Sequence, residues 1–180
     1  MEGKNYINGA FVDGTSGDRF ESRNPANFDE ILGTFPLSSE QDVNNAVSAA
    51  KTAYDGWRRL SRIKRGEHFD EFVQLLKKDR EEISRLVTKE CGKGIVEGRA
   101  DVTEGIHMVQ YTFGTVRMPH GDVVDSEIPE KDAFMRRKPK GVVAAISPWN
   151  FPFAIPLWLI CPSVVEGNTV ILKPSRETAC

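Results

Sequence analysis

Residues 141–173 read GVVAAISPWNFPFAIPLWLICPSVVEGNTVILK, and this stretch decides the fold. Val142 to Ile146 is a continuous apolar run, the pattern of a strand covered on both faces. Pro152 to Val165 is long enough for a crossover helix, and Gly167 is placed to end it. Thr169-Val170-Ile171-Leu172 is a second apolar run. Strand, helix and strand make a βαβ unit, which implies a parallel sheet and a right-handed crossover. Gly141 to Val165 carries no charge, so a membrane span has to be weighed. Pro148, Pro152, Pro156 and Pro162, with Asn150, favour the buried strand and helix over a span. One helix and two strands cannot cover a parallel sheet on both faces, so the sequence reads as cut inside its second domain.

Upstream of this unit the pattern differs. Tyr6-Ile7 and Ala10-Phe11-Val12 flank Asn8-Gly9, a hairpin signal. Arg19–Arg23 and Ile31–Leu37 read as further extended segments. Apolar residues then recur at helical spacing. Ser38 or Ser39 caps a helix that carries Val43, Ala46, Val47, Ala50, Tyr54 and Trp57. Ser61 is placed to cap a second helix, through Phe69, Phe72, Val73 and Leu76. Asp79 is placed to cap a third, through Ile83, Leu86 and Val87, which stops near Gly92. A fourth spans about Ile95 to Phe113 and contains Gly98 and Gly105. Two polar strands, Asp122–Glu127 and Ala133–Lys138, form a ribbon that needs a sheet edge or another subunit as partner.

Composition narrows the function. The 180 residues hold 24 Lys and Arg against 26 Asp and Glu, a net charge of −2 that argues against nucleic acid as the main partner. Ten Phe and three Trp argue against disorder. Cys91, Cys161 and Cys180 are far apart and show neither a disulfide framework nor a zinc motif. No metal ligand set is read, because His68, His107 and His120 lack ligand spacing and have no obvious carboxylate partner. The opening MEGKNYINGAF has no apolar signal segment, and a cytoplasmic, non-membrane setting is expected. Arg58, Arg59, Arg62, Lys64 and Arg65 read as a solvated face, and Arg136 to Lys140 as an edge guarded by charge.

In open α/β sheets ligands sit beyond the carboxyl ends of the strands. Ser147–Pro152 and Lys173–Thr178 occupy those places. Asn150 lies at a strand-to-helix turn between prolines, where a side-chain amide can donate to a developing oxyanion. Lys173 ends a strand and can reach a hydroxyl or phosphate.

PWNFP shortly after GVVAAI, followed by EGNTVILKPS, resembles the NAD(P)-dependent aldehyde dehydrogenase superfamily. YINGAFVDG, RNPA, SSEQDVNNAV and the ribbon before KPKGVV fall in that family's order, so the resemblance covers nearly the whole chain. It implies an α/β fold with a Rossmann-like parallel sheet, incomplete here, N-terminal helices and a β-ribbon oligomerisation element. Residues 1–120 would be the N-terminal strands and helices of the cofactor-binding domain. Residues 121–140 would be the ribbon, and 141–180 the first βαβ unit, truncated and without the catalytic domain. By resemblance Asn150 is the catalytic oxyanion donor to a thiohemiacetal, and Ile146, Ser147, Pro148 and Trp149 line the cofactor cleft. Lys173 would bond the adenosine ribose of NAD or NADP, with Ser175 and Arg176 nearby. Phe151, Ile155 and Trp158 would face the tunnel for a small-molecule aldehyde.

The family's nucleophilic cysteine, general-base glutamate and glycine turn all come later in its sequences, and none is present here. Cys161 and Cys180 lack the nucleophile's sequence context. The expected function is therefore the N-terminal part of an enzyme oxidising an aldehyde to a carboxylic acid, working as a homodimer or homotetramer through the ribbon. Inactivity is expected of these residues alone. The competing readings are a non-catalytic fragment that keeps the interaction ribbon, and another α/β nucleotide-binding module. The second would need a phosphate loop, and no G-x-G-x-x-G occurs. Many NAD-preferring relatives carry a glutamate three residues after the lysine equivalent to Lys173. Here that position is Arg176, which points to tolerance of NADP.

Overall fold

The computed structural model describes residues 1–180. The chain opens with two hairpins, β1 (Asn5–Ile7) with β2 (Ala10–Val12), and β3 (Arg19–Asn24) with β4 (Asn27–Pro36). Asn8 and Gly9 take φ of 51° and 78°. A turn with both central residues at positive φ matches the right-handed twist of its strands.

Four helices follow: α1 (Glu40–Arg59), α2 (Arg62–Lys78), α3 (Arg80–Cys91) and α4 (Ile95–Thr115). Ser39 and Asp42 form a reciprocal cap at the start of α1. Asp42 also accepts from Thr15 N at 3.0 Å, which ties the helix to the loop after the first hairpin. Ser61 Oγ accepts from Lys64 N and starts α2. Asp79 does not cap α3 with its side chain. Its own N–H still donates to Leu75 O, so it closes α2 with near-helical φ and ψ rather than the extended backbone a capping side chain needs. Gly92 ends α3 at φ 65°.

The two glycines inside α4 permit close helix packing. A Cβ on Gly98 would lie 2.8 Å from Ser84 O of α3, and one on Gly105 would lie 2.6 Å from the Phe153 ring. The core forms at these crossings, from Phe69, Val73, Leu76, Val87, Val102, Ile106 and Val109, with Leu157, Cys161 and Val165 arriving from the later crossover helix.

β5 (Gly121–Val124) and β6 (Ala133–Arg136) pair antiparallel, and all of their residues are exposed. Both strands are shorter than the sequence pattern suggests. β7 (Val142–Ile146), α5 (Ala154–Val165) and β8 (Thr169–Lys173) form the βαβ unit. The strands run parallel, with Val142 opposite Thr169 and Ile146 opposite Lys173. Both α1 and α5 pack against this pair. Trp57 Nε1 donates to Val164 O at 2.8 Å, and Thr169 Oγ1 to Ala50 O at 3.0 Å. The apolar run of β7 is not covered on both faces by these residues: Ala145 is buried while Ala144 and Ile146 are exposed. With an open two-stranded parallel pair and flanking helices, the chain is an incomplete Rossmann-like α/β fold. No helix is long and apolar enough to cross a membrane.

The basic run at the α1–α2 junction is not a wholly solvated face. Arg65 is buried, with Nε donating to Val165 O at 2.8 Å and Nη1 to Leu60 O at 2.5 Å. Arg62 bridges Glu166 and Thr115 O. His120 does have a carboxylate partner, Glu166, at 2.5 Å. These partners are distant in sequence, so local charge patterning does not reveal them.

Candidate active site

The carboxyl ends of β7 and β8 bring the two loops together. Ile146 and Lys173 are register partners, and Ser147 N donates to Lys173 O at 3.2 Å just beyond them. Ile146 is 72 % exposed and Trp149 58 %, so large apolar surface stands open at this edge. Ser147 is buried, and its Oγ has no hydrogen-bond partner.

Asn150 is exposed in the turn between β7 and α5, and the turn's main chain is gripped from the α3–α4 region. Lys93 Nζ donates to Asn150 O at 3.1 Å, and Cys91 Sγ to Trp149 O at 3.5 Å. Lys93 Nζ also lies 4.8 Å from the Phe151 ring centroid. Asp101 is fully buried and takes Lys93 Nζ on Oδ2 at 3.2 Å and Ala154 N on Oδ1 at 2.9 Å. Sequence reasoning missed Lys93 and Asp101. The only local signal was a lysine just past the helix-ending Gly92 and an aspartate on the inner face of the next helix.

Phe151, Ile155 and Trp158 fall three or four residues apart, which stacks them along one side of the turn and α5. Ile155 N donates to Phe151 O at 3.2 Å, and Phe151 and Trp158 are each 40 % exposed. After β8, Ser175 Oγ accepts from Glu177 N at 3.3 Å and is used in its own turn. The Arg176 guanidinium sits 5.1 Å from the Phe20 ring centroid. Arg176, Glu177 and Thr178 share a cavity of about 520 Å³ with Trp149, Phe28 and Glu90.

Burial disfavours the thiolate at each of the three free cysteines. Burial pushes the Cys161 thiol up to about 12. Burial, then the Glu90 carboxyl, pushes Cys180 to about 12. Burial raises Cys91 too. A thiolate is the reactive form, so burial works against reactivity at these positions.

A turn-borne amide and a lysine stand together beyond the carboxyl ends of a parallel pair, where open α/β sheets bind their ligands. The aldehyde dehydrogenase family model matches residues 11–180, and the chain belongs to that family. It is 40 % identical over 175 residues to the alpha-ketoglutaric semialdehyde dehydrogenase of Bacillus subtilis, covering 97 % of this chain and 36 % of the relative. It is 41 % identical over 176 residues to the malonate-semialdehyde dehydrogenase of Lacticaseibacillus casei, covering 97 % of this chain and 35 % of the relative. An NAD-dependent aldehyde dehydrogenase from Sinorhizobium meliloti superposes with a TM-score of 0.93 at 31 % identity, over 99 % of this chain and 36 % of that one. The chain thus spans about a third of the length of the curated relatives it matches.

Proposed function

We propose that this chain supplies the N-terminal, cofactor-binding part of an enzyme that oxidises an aldehyde to a carboxylic acid with NAD or NADP. The observation that carries the reading is the exposed Asn150 amide, on a turn held at the carboxyl edge of the parallel strands.

The residues at that edge suit a dinucleotide. Ile146 and Trp149 offer apolar faces to its rings, Ser147 and Pro148 shape the cleft floor, and Lys173 offers an ammonium to a ribose hydroxyl. Ser175 and Arg176 flank that place. When bound, the nicotinamide accepts the hydride that leaves the aldehyde carbon.

Asn150 acts on the carbonyl oxygen. A cysteine thiolate from outside these residues adds to the carbonyl carbon, and the C=O π pair moves onto oxygen. The Asn150 N–H donates to that oxyanion in the thiohemiacetal. When the C–H bond breaks, the oxygen pair re-forms C=O and leaves a thioester. Water then adds to the thioester carbonyl, giving a proton to a base outside these residues. Charge returns to the same oxygen, and Asn150 holds it again until C=O re-forms, the C–S bond breaks and the thiolate departs. Phe151, Ile155 and Trp158 give the aldehyde an apolar approach.

Residues 1–120 and 141–180 form the cofactor-binding part in this reading, and 121–140 pair with another copy in a homodimer or homotetramer. Exposed Val123 and Phe134 on the ribbon, 85 % and 78 %, support that pairing. Three free cysteines suit a reducing, cytoplasmic setting.

The test is a panel of aldehydes, including malonate semialdehyde and alpha-ketoglutaric semialdehyde, offered with NAD or NADP to the full-length protein that carries this chain. Aldehyde-dependent reduction of dinucleotide is expected. No turnover by folded protein across the panel contradicts the reading.

A further inference from the structure

We propose that Lys93 and Asp101 are positioning residues that set the Asn150 amide for the oxyanion, acting through the main chain and not by touching substrate. The inference rests on the reading of Asn150 as the oxyanion donor.

The geometry is a clamp on one turn. Asp101 is completely buried on α4, and its carboxylate faces two ways. Oδ1 holds Ala154 N at 2.9 Å, which fixes the first residue of α5. Oδ2 holds Lys93 Nζ at 3.2 Å, and the same ammonium donates to Asn150 O at 3.1 Å. The turn from Asn150 to Ala154 is thus tied at both ends to one carboxylate. Pro152 stiffens its middle, and Phe151 lies beneath the ammonium.

The core nearby is built from apolar side chains. Burying a carboxylate and an ammonium is costly and is often matched by apolar residues of similar size. What an apolar pair cannot do is grip a carbonyl and an amide of the same turn. With the main chain fixed at Asn150, only the two side-chain torsions of that residue remain to be set. Misplacing a reacting group by an ångström can cost on the order of a hundredfold in rate, so this clamp bears on turnover.

The experiment uses the full-length enzyme, with alpha-ketoglutaric semialdehyde and a saturating mixture of NAD and NADP, read as single-turnover formation of reduced dinucleotide. Asp101→Asn, the charge-free pair Lys93→Met/Asp101→Asn, Asn150→Ala and the triple variant are compared, with melting curves and dinucleotide Kd for each. The pair should slow the single turnover by about tenfold or more while Kd stays within about twofold. The triple variant should be no slower than Asn150→Ala, because residues acting as a unit are non-additive. Asp101→Asn keeps an acceptor for Ala154 N, so its melting curve should stay near wild type while the turnover slows several-fold. Wild-type rates in Asp101→Asn, or in the folded pair, overturn the proposal. So does a triple variant slowed by the pair's full factor beyond Asn150→Ala. If Asn150→Ala alone leaves the rate unchanged, the oxyanion reading fails first and takes this inference with it.

Discussion

The Arg176 guanidinium lies over the Phe20 ring, 5.1 Å from its centroid, so the loop after β8 leans on the β3–β4 hairpin. That contact contributes about 0.5–1 kcal/mol at an exposed site, less than a bidentate bond to a phosphate. A 2′-phosphate near Lys173 can therefore draw Arg176 away. The full enzyme is expected to accept NADP, and Arg176→Glu should lower the NADP-to-NAD ratio of kcat/KM by about tenfold or more. A wild type that rejects NADP, or an unchanged ratio in the variant, contradicts the role.

Arg65 joins two helix ends. Its guanidinium donates to Leu60 O and Val165 O, at the carboxyl ends of α1 and α5, where a cation also meets the helix dipoles. Arg65→Met should cost about 3 kcal/mol, because buried carbonyls lose charged donors. Urea unfolding of the full enzyme reads this as a lowered midpoint, and an unchanged midpoint is the contrary result.

Glu166 makes stability depend on acid. Burial alone would raise its carboxyl, but the Arg62 guanidinium and the His120 imidazole outweigh burial and hold it below the ordinary 4.5. A folded-state carboxyl that is lowered stabilises above the ordinary carboxylate range, and that stability is lost as pH falls through the folded value. Glu166→Gln should melt lower than wild type at neutral pH, with the gap closing below about pH 4. A gap that stays constant across that window contradicts the account.

Much of the scaffold was legible. Asn8-Gly9 announced a positive-φ hairpin, and the two apolar runs around a helix-length segment announced the βαβ unit, because both signals are local. The cap of α1 was legible to within Ser38 and Ser39 for the same reason, and the structure selects Ser39. Asp79 misled because one residue both ends α2 and begins α3, which costs it the extended backbone of a cap. Arg65, His120 and Lys93 were opaque. Their partners are Val165, Glu166 and Asn150, and sequence spacing carries no trace of a contact made by tertiary packing.

Cys161 is a buried core thiol pushed up to about 12 by burial, which makes it a poor candidate for the nucleophile of the proposed reaction. Cys161→Ala should retain kcat within about twofold while lowering the melting temperature, since a small cavity opens at the α4–α5 crossing. Loss of the single-turnover burst in a folded Cys161→Ala enzyme would overturn this.

Asn150 is the centre of the account, and its substitution tests it most directly. Single-turnover reduction of dinucleotide is measured for wild type and Asn150→Ala at saturating aldehyde, alongside dinucleotide Kd and melting temperature. The rate should fall on the order of a hundredfold, the typical cost of one lost oxyanion donor, with Kd and melting nearly unchanged. A wild-type rate, or a loss explained entirely by unfolding, would contradict the assignment of Asn150 to the oxyanion.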